Sequence, residues 1–181
     1  MAAIAVAGRR LELVTGDITT QETDAIANAA NAALRGGGGV DGAIHRAAGP
    51  GLLDELRSRY PNGTPTGTAV ETGGHHLRAR WVLHAVGPIW RGGGHGEPDL
   101  LAGAYRACLE LCDDLGARSV AFPAISMGIY GYPAPEGARI AVEVAAAHLR
   151  GDTTLELVRF VLFGEATYAH FASALGDLAS G

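Results

Sequence analysis

Short apolar runs alternate along this chain with longer segments in which apolar residues return every three or four positions. Leu11–Thr15 and Asp24–Ala29 read as strands, the second so nearly all apolar that both its faces should be covered. Thr68–Thr72, Trp81–Val86, Ser119–Phe122 and Leu155–Phe163 follow as further strands. Val40–Ala48 and Gly51–Tyr60 have helical spacing, separated by Gly49-Pro50 and closed by the turn cluster Pro61–Pro65. Leu101, Tyr105, Cys108, Cys112 and Leu115 mark the buried stripe of a helix that begins after Pro98 and stops at Gly116. Ile140, Val144 and Ala147 mark another, and Tyr168, Phe171, Leu175 and Leu178 a last one.

Strands that alternate with helices imply an α/β fold, with a central, largely parallel sheet covered on both faces. Ligands of such sheets bind beyond the carboxyl ends of the strands. The conspicuous loops Asn31–Asp41, Gly87–Glu97 and Ala124–Tyr132 each follow a strand, so they can converge on one cleft. Arg91–Gly96 is glycine-rich and reads as a mobile rim or as slack.

The most informative of these loops runs from Asn28 and Asn31 through Gly36-Gly37-Gly38-Gly39 into a helix with Asp41 in its first turn. Adjacent glycines cost conformational entropy and are kept where backbone must approach something closely. Backbone N–H groups at a helix N-terminus suit phosphate. A carboxylate does not belong in a simple phosphate cradle, but it suits a site that activates water or holds a sugar hydroxyl. Asp41 is accordingly expected in the open cleft.

Composition narrows the field. The chain has 181 residues, 48% of them hydrophobic, which is consistent with one domain over 1–181. Net charge is −5 with no basic block, which argues against binding to a nucleic-acid backbone. All 14 basic residues are arginine, so phosphate-binding lysines and Schiff-base chemistry are excluded from this sequence. Cys108 and Cys112 share a helical face and read as buried thiols of a reduced compartment. The apolar start Met1–Ala7 lacks a charged n-region, and no run is long enough to span a bilayer, so a cytoplasmic location is expected.

Two familiar motifs fail on context. Gly37–Gly42 formally satisfies G-x-G-x-x-G, but a dinucleotide turn follows its strand directly and has an acidic residue at the tip of a second strand about twenty positions on. Ala124–Gly128 approaches a nucleophile elbow, yet Pro133 and Gly131 delay the helix that must follow the serine. Ser126–Gly131 reads better as a second loop gripping phosphate from the opposite side. Asn28 is expected to pin the first loop through its backbone, and His45 to be a core or surface histidine. His75, His76 and His84 show no ligand spacing and are given no role.

Taken together, the sequence closely resembles the macrodomains of the MacroD type. The resemblance rests on Gly16-Asp17-Ile18-Thr19, the Asn28–Pro50 block, Thr66-Gly67, His84–Pro88, Phe122–Ser126 and Gly128–Pro133, and it covers almost the whole chain. It implies a three-layer α/β/α macrodomain with a mixed, mostly parallel sheet, and hydrolysis of O-acetyl-ADP-ribose or of ADP-ribose esters on acidic protein side chains. Partners would be ADP-ribose, O-acetyl-ADP-ribose and ADP-ribosylated proteins, with nucleic acid entering only as an ADP-ribosylated substrate and no cofactor or metal. By the same resemblance Asp17 would accept from the adenine amino group and the Ile18 backbone would read the ring. Gly37, Gly38, Gly39 and Val40 would enclose the diphosphate with Ser126, Met127, Gly128, Ile129 and Tyr130. Phe163 would stack on adenine, and Asn31 and Asp41 would face the distal ribose as the catalytic pair.

Two residues depart from the family pattern: Met127 stands where threonine is usual, and Gly164 where an acidic residue is common. A non-catalytic reader of ADP-ribose is the alternative reading, since it would need the same pocket without Asp41. Removal of a phosphate monoester from the distal ribose would use that pocket too.

Overall fold

The computed structural model describes residues 1–181. Its strands are β1 (Ala2–Val6), β2 (Arg9–Thr15), β3 (Ala25–Ala29), β4 (Ala69–Gly73), β5 (Trp81–Ala85), β6 (Ser119–Phe122) and β7 (Leu157–Leu162). Its helices are α1 (Gly39–Ala48), α2 (Gly51–Arg59), α3 (Glu97–Leu115), α4 (Ala134–Arg150) and α5 (Glu165–Ser180). The strands form one mixed sheet in the order β1-β2-β7-β6-β3-β5-β4. The five inner strands run parallel, and β1 and β4 close the two edges antiparallel.

Alternation along the strands divides the interior into two cores. Leu11, Leu13, Leu83, Phe122 and Phe160 face α3, α4 and α5 and pack with Tyr105 and Phe171. Ile26, Val82 and Val161 face the other way, onto Ile44 of α1 and Leu52 and Leu56 of α2. In β3 the same alternation sends Ala25 and Ala27 to the larger core and Ile26 to the smaller. Asn28 is next in the Ile26 series and therefore points toward α1.

The edge strand β1 is absent from the reading of the hydrophobic pattern. Its residues alternate poorly, and its hairpin turn is Ala7-Gly8, both with positive φ (50° and 77°), rather than a recognisable Asn-Gly pair. Cys108 and Cys112 lie in the larger core as expected, and burial pushes both thiols above their ordinary range. No helix is long and apolar enough to cross a membrane.

The expectation of a mobile Arg91–Gly96 loop is corrected. Glu97 is only 2% exposed, and its carboxylate accepts from the N–H groups of Arg91 (3.0 Å), Gly93 (2.8 Å) and His95 (2.6 Å). The residue looks in sequence like an ordinary acid in the first turn of a helix. In the fold it staples the loop before that helix. Burial alone would raise the Glu97 pKa, but these three N–H donors outweigh it and hold the carboxyl down at about 2. A depressed carboxyl stabilises the fold fully above its ordinary value of 4.5 and loses that contribution as pH falls through about 2. Glu97→Gln is therefore expected to lower the melting temperature at neutral pH, with the difference from the parent closing as pH drops below 4.5. Thermal melts of both proteins across that range check it. A gap that does not narrow with acid would mean that the charge of Glu97 plays no part.

Candidate functional site

Because β2, β7, β6, β3 and β5 are parallel, their carboxyl ends open on one edge of the sheet, and the segments leaving them line a cavity of about 1020 Å³. Sheet order arranges the lining. Gly16, Asp17 and Ile18 follow β2, Phe163 and Gly164 follow β7, Ser126–Tyr130 follow β6, and Asn31 with the glycine loop follow β3. Three strand spacings separate β2 from β3, about 14 Å. A ligand touching both ends must be extended, with its middle over the loop that follows β6.

At the β2 end, Asp17 caps a 3-10 turn, Ile18–Thr20, and its Oδ1 accepts from Thr19 N–H (2.8 Å) and Thr19 Oγ1 (2.7 Å). The Thr19 hydroxyl, then the Thr19 N–H, hold this exposed carboxyl below its ordinary range. The turn engages Oδ1 alone, so Oδ2 is free to accept from a ligand. Arg159 bridges buried Glu12 to Gln21, whose amide donates to the Asp17 carbonyl (3.2 Å) and steadies the turn from below. Ile18 is buried beside it, and Phe163 stands 93% exposed at the rim, an uncovered aromatic face. Gly164 has φ of 95° at the entrance to α5, a backbone state that disfavours the acidic residue common at this place in the family pattern.

The middle of the cleft is walled by two sets of backbone N–H groups. Helix α1 starts after Gly38, and its first bond runs from Gly42 N–H to Gly38 O (3.2 Å). That leaves the N–H groups of Gly39, Val40 and Asp41 at the positive end of the helix. Opposite them, Gly131 N–H closes on Gly128 O (3.0 Å) and Tyr132 N–H on Ser126 O (2.9 Å), so the intervening residues curl into a concave turn. Ser126 holds φ of 65°, unusual for a residue with a side chain. Its Oγ is buried without a hydrogen-bond partner and touches no base, which removes it as a nucleophile.

Met127 lines the cavity but also packs against the helix behind it. Its side chain lies over Gly137 of α4, where an added Cβ would stand 2.8 Å from Met127 Cε. The Met127 N–H bonds weakly to Ala124 O (3.4 Å), so this residue fills the seam between loop and helix.

At the β3 end Asp41 lines the cavity as its sequence context implied, yet it is only 6% exposed. Its Oδ1 accepts from Asn28 Nδ2 (2.8 Å) and lies 3.3 Å from His45 Nε2. Its Oδ2 is turned to the glycine loop, 3.2 Å from where a Cβ on Gly37 would sit. One oxygen is held by the protein and the other faces the cavity. Asn31 lines the cavity nearby and donates from Nδ2 to Gly36 O (2.8 Å), which fixes the glycine loop from within.

Three expectations are corrected at this end. Asn28 does not pin the loop through backbone; it is wholly buried and grips Asp41. His45 is no isolated core or surface histidine, because one helical turn brings it onto the same carboxylate. His84 has partners after all, Asn28 Nδ2 at 3.2 Å and Thr72 Oγ1 at 2.9 Å. The spacing of Asp41 and His45 puts both on one helical face and carries the signal for the second contact. The others depend on strand register, which composition and periodicity do not carry.

Comparison with known proteins follows the same outline. A family model described as Macro domain matches residues 27–141. An O-acetyl-ADP-ribose deacetylase of Salmonella gallinarum is 50% identical over 173 residues, covering 93% of this chain and 97% of its own. The macrodomain of Oceanobacillus iheyensis, solved with ADP, superposes with a TM-score of 0.93 at 42% identity, over 99% of this chain and 96% of that one. The Trypanosoma brucei macrodomain in complex with ADP-ribose superposes with a TM-score of 0.84 at 42% identity, over 92% of this chain and 69% of that one.

Proposed function

The chain belongs to the macrodomain family, and from that premise we propose that it hydrolyses esters on the distal ribose of ADP-ribose. Its substrates are O-acetyl-ADP-ribose and proteins carrying ADP-ribose on Asp or Glu side chains. One observation carries the reading: Asp41 presents a free carboxylate oxygen at the far end of a cleft whose middle is two opposed sets of N–H groups. The deacetylase relative and the nucleotide-bound neighbours support the choice of ligand.

ADP-ribose fits the order of the lining. Adenine lies between Phe163 and the Asp17–Ile18 turn, with Asp17 Oδ2 accepting from its amino group. The diphosphate sits between Gly37–Val40 and Ser126–Tyr130, where helix α1 and the concave turn both point N–H groups at negative charge. The distal ribose reaches Asn31 and Asp41. Water held by Asp41 Oδ2, with a phosphate oxygen as its second partner, adds to the acyl carbon of the ester. Asp41 takes the proton, the carbon–oxygen bond to ribose breaks, and the proton passes to the departing ribose oxygen. Free ADP-ribose and a carboxylic acid result. General-base assistance of this kind contributes about 10²–10⁴ in rate, roughly 3–5 kcal/mol of barrier. Holding adenine and diphosphate supplies the alignment.

The test is incubation of the purified protein with O-acetyl-ADP-ribose and, in parallel, with an auto-modified ADP-ribosyltransferase. Release of acetate or of ADP-ribose is the expected result. Tight binding of ADP-ribose without turnover of either ester would overturn the hydrolase in favour of a reader.

Base recognition gives a second expectation. Asp17→Asn keeps Oδ1 on Thr19 but replaces the acceptor facing adenine with an amide donor. A lost hydrogen bond to a charged group is worth about 1.5–3 kcal/mol, so ADP-ribose affinity should fall at least about tenfold. GDP-ribose, which offers an acceptor at that edge, should lose less. Calorimetry on both ligands reads the contrast, and equal losses would remove Asp17 from base selection.

A further inference from the structure

Asn28, His84 and Thr72 are fully buried on the α1–α2 side of the sheet, none of them lines the cavity, and yet they form one hydrogen-bonded line ending on Asp41. Strand register draws the line. Asn28 stands directly opposite His84 in the parallel β3–β5 pair. Thr72 lies diagonal to His84 across the antiparallel β4–β5 pair, within reach of its far nitrogen.

The bonds of the line fix one another's direction, starting from the Asn28 amide that donates to Asp41. The Asn28 amide nitrogen donates to Asp41 Oδ1 at 2.8 Å. The same nitrogen lies 3.2 Å from His84 Nδ1, which commits its second hydrogen there. Nδ1 must then accept, and the ring hydrogen resides on Nε2, donating to Thr72 Oγ1 at 2.9 Å. The Thr72 hydroxyl passes its own hydrogen to the Gly73 carbonyl at 3.1 Å. Burial, with the nearby His45 as a lesser cause, pushes the His84 pKa down to about 3, so the ring stays neutral. Holding the amide this way leaves Asn28 Oδ1 buried without a partner, the kind of local cost that collects behind functional groups.

We propose that His84 and Thr72 are positioning residues for Asp41, acting through Asn28. The neutral imidazole fixes which way the carboxamide faces, and the carboxamide fixes Oδ1, so that Oδ2 is the oxygen offered to water. A ring with its hydrogen on Nδ1 would demand the opposite amide orientation and set Asn28 Oδ1 against the carboxylate. The proposal rests on Asp41 being the base of the hydrolase reading.

Two measurements test it separately from that reading. Long-range proton–nitrogen correlation spectra of the labelled parent should show His84 neutral, with hydrogen on Nε2, throughout the neutral pH range. Thr72→Val preserves shape and deletes the acceptor for that hydrogen. It should lower kcat on O-acetyl-ADP-ribose about tenfold, equivalent to one lost hydrogen bond, with the Kd for ADP-ribose unchanged. Thr72→Ser should restore kcat.

A His84 that is charged, or carries its hydrogen on Nδ1, overturns the proposal whatever the turnover. So does an undiminished kcat in Thr72→Val beside an active parent, and the hydrolase reading then stands. Loss of ADP-ribose affinity together with kcat, unrelieved by serine, would make Thr72 merely structural and overturn it as well. A parent that hydrolyses no ester removes the function and with it the positioning role, and the spectrum still decides the order of the bonds.

Discussion

Asp41→Asn is expected to slow hydrolysis of ADP-ribosyl esters by roughly 10² or more, with ADP-ribose affinity level or slightly higher. The substitution keeps an oxygen for Asn28 Nδ2 and nearly the same volume, while it abolishes the group that accepts a proton from water. It also removes a negative charge from the end of the cleft proposed to receive the diphosphate, which is why binding should not weaken. Asparagine separates the roles better than alanine does. Asp41 is almost buried, and Asp41→Ala would strand the Asn28 amide at about 1–3 kcal/mol of stability. Turnover and affinity should be measured on one preparation. An Asp41→Asn protein as fast as its parent would show that the base lies elsewhere.

The second large effect is expected at a residue with no side chain of its own. Gly87, at the exit of β5, lies against the loop that follows β6, and an added Cβ would stand 2.2 Å from Ser126 Oγ and 2.6 Å from Ile125 Cγ2. Neither neighbour yields easily. Ile125 is 1% exposed, its N–H is held by Tyr105 Oη at 3.0 Å, and Ser126 already sits at φ of 65°. Gly87→Ala must therefore displace the turn proposed to present its N–H groups to the diphosphate. Overpacking of this kind costs about 1–3 kcal/mol of stability, and a displaced turn should lower ADP-ribose affinity at least about tenfold. Gly176→Ala on α5 has open space around it and serves as the control. Melting curves and calorimetry on the two variants distinguish the site from the substitution. Unchanged binding in Gly87→Ala would mean that the second loop is not a rigid part of the cradle.

Sequence and structure part company in an instructive way. Periodicity located the inner strands and the helices because each buries a continuous face, and the rule that loops follow parallel strands into one cleft brought Asn31–Asp41 and Ser126–Tyr130 together. Glycines were readable as close approaches, but not which approach each serves: Gly87 answers to Ser126 on another loop, and Gly137 to Met127 in the loop before its own helix. Asn28, Thr72 and His84 look like unrelated polar interruptions of apolar strands. They become one line only once β3, β5 and β4 are placed side by side in register. The staple at Glu97 was hidden for the same reason that it works, since backbone donors leave no signature in the residues that supply them.

The sheet order gives this protein a division of labour. On the proposed reading, recognition of the base falls to the ends of β2 and β7 and the chemistry to the end of β3, with β6 between them. The Asp17 turn shares no hydrogen-bond partner with Asp41 in the protein. Sites so separated combine additively when changed, within about 0.5 kcal/mol. If the two ends work as proposed, one can drift toward another nucleotide without disturbing bond cleavage at the other. Such a scaffold can exchange what it recognises and keep what it does, one strand at a time.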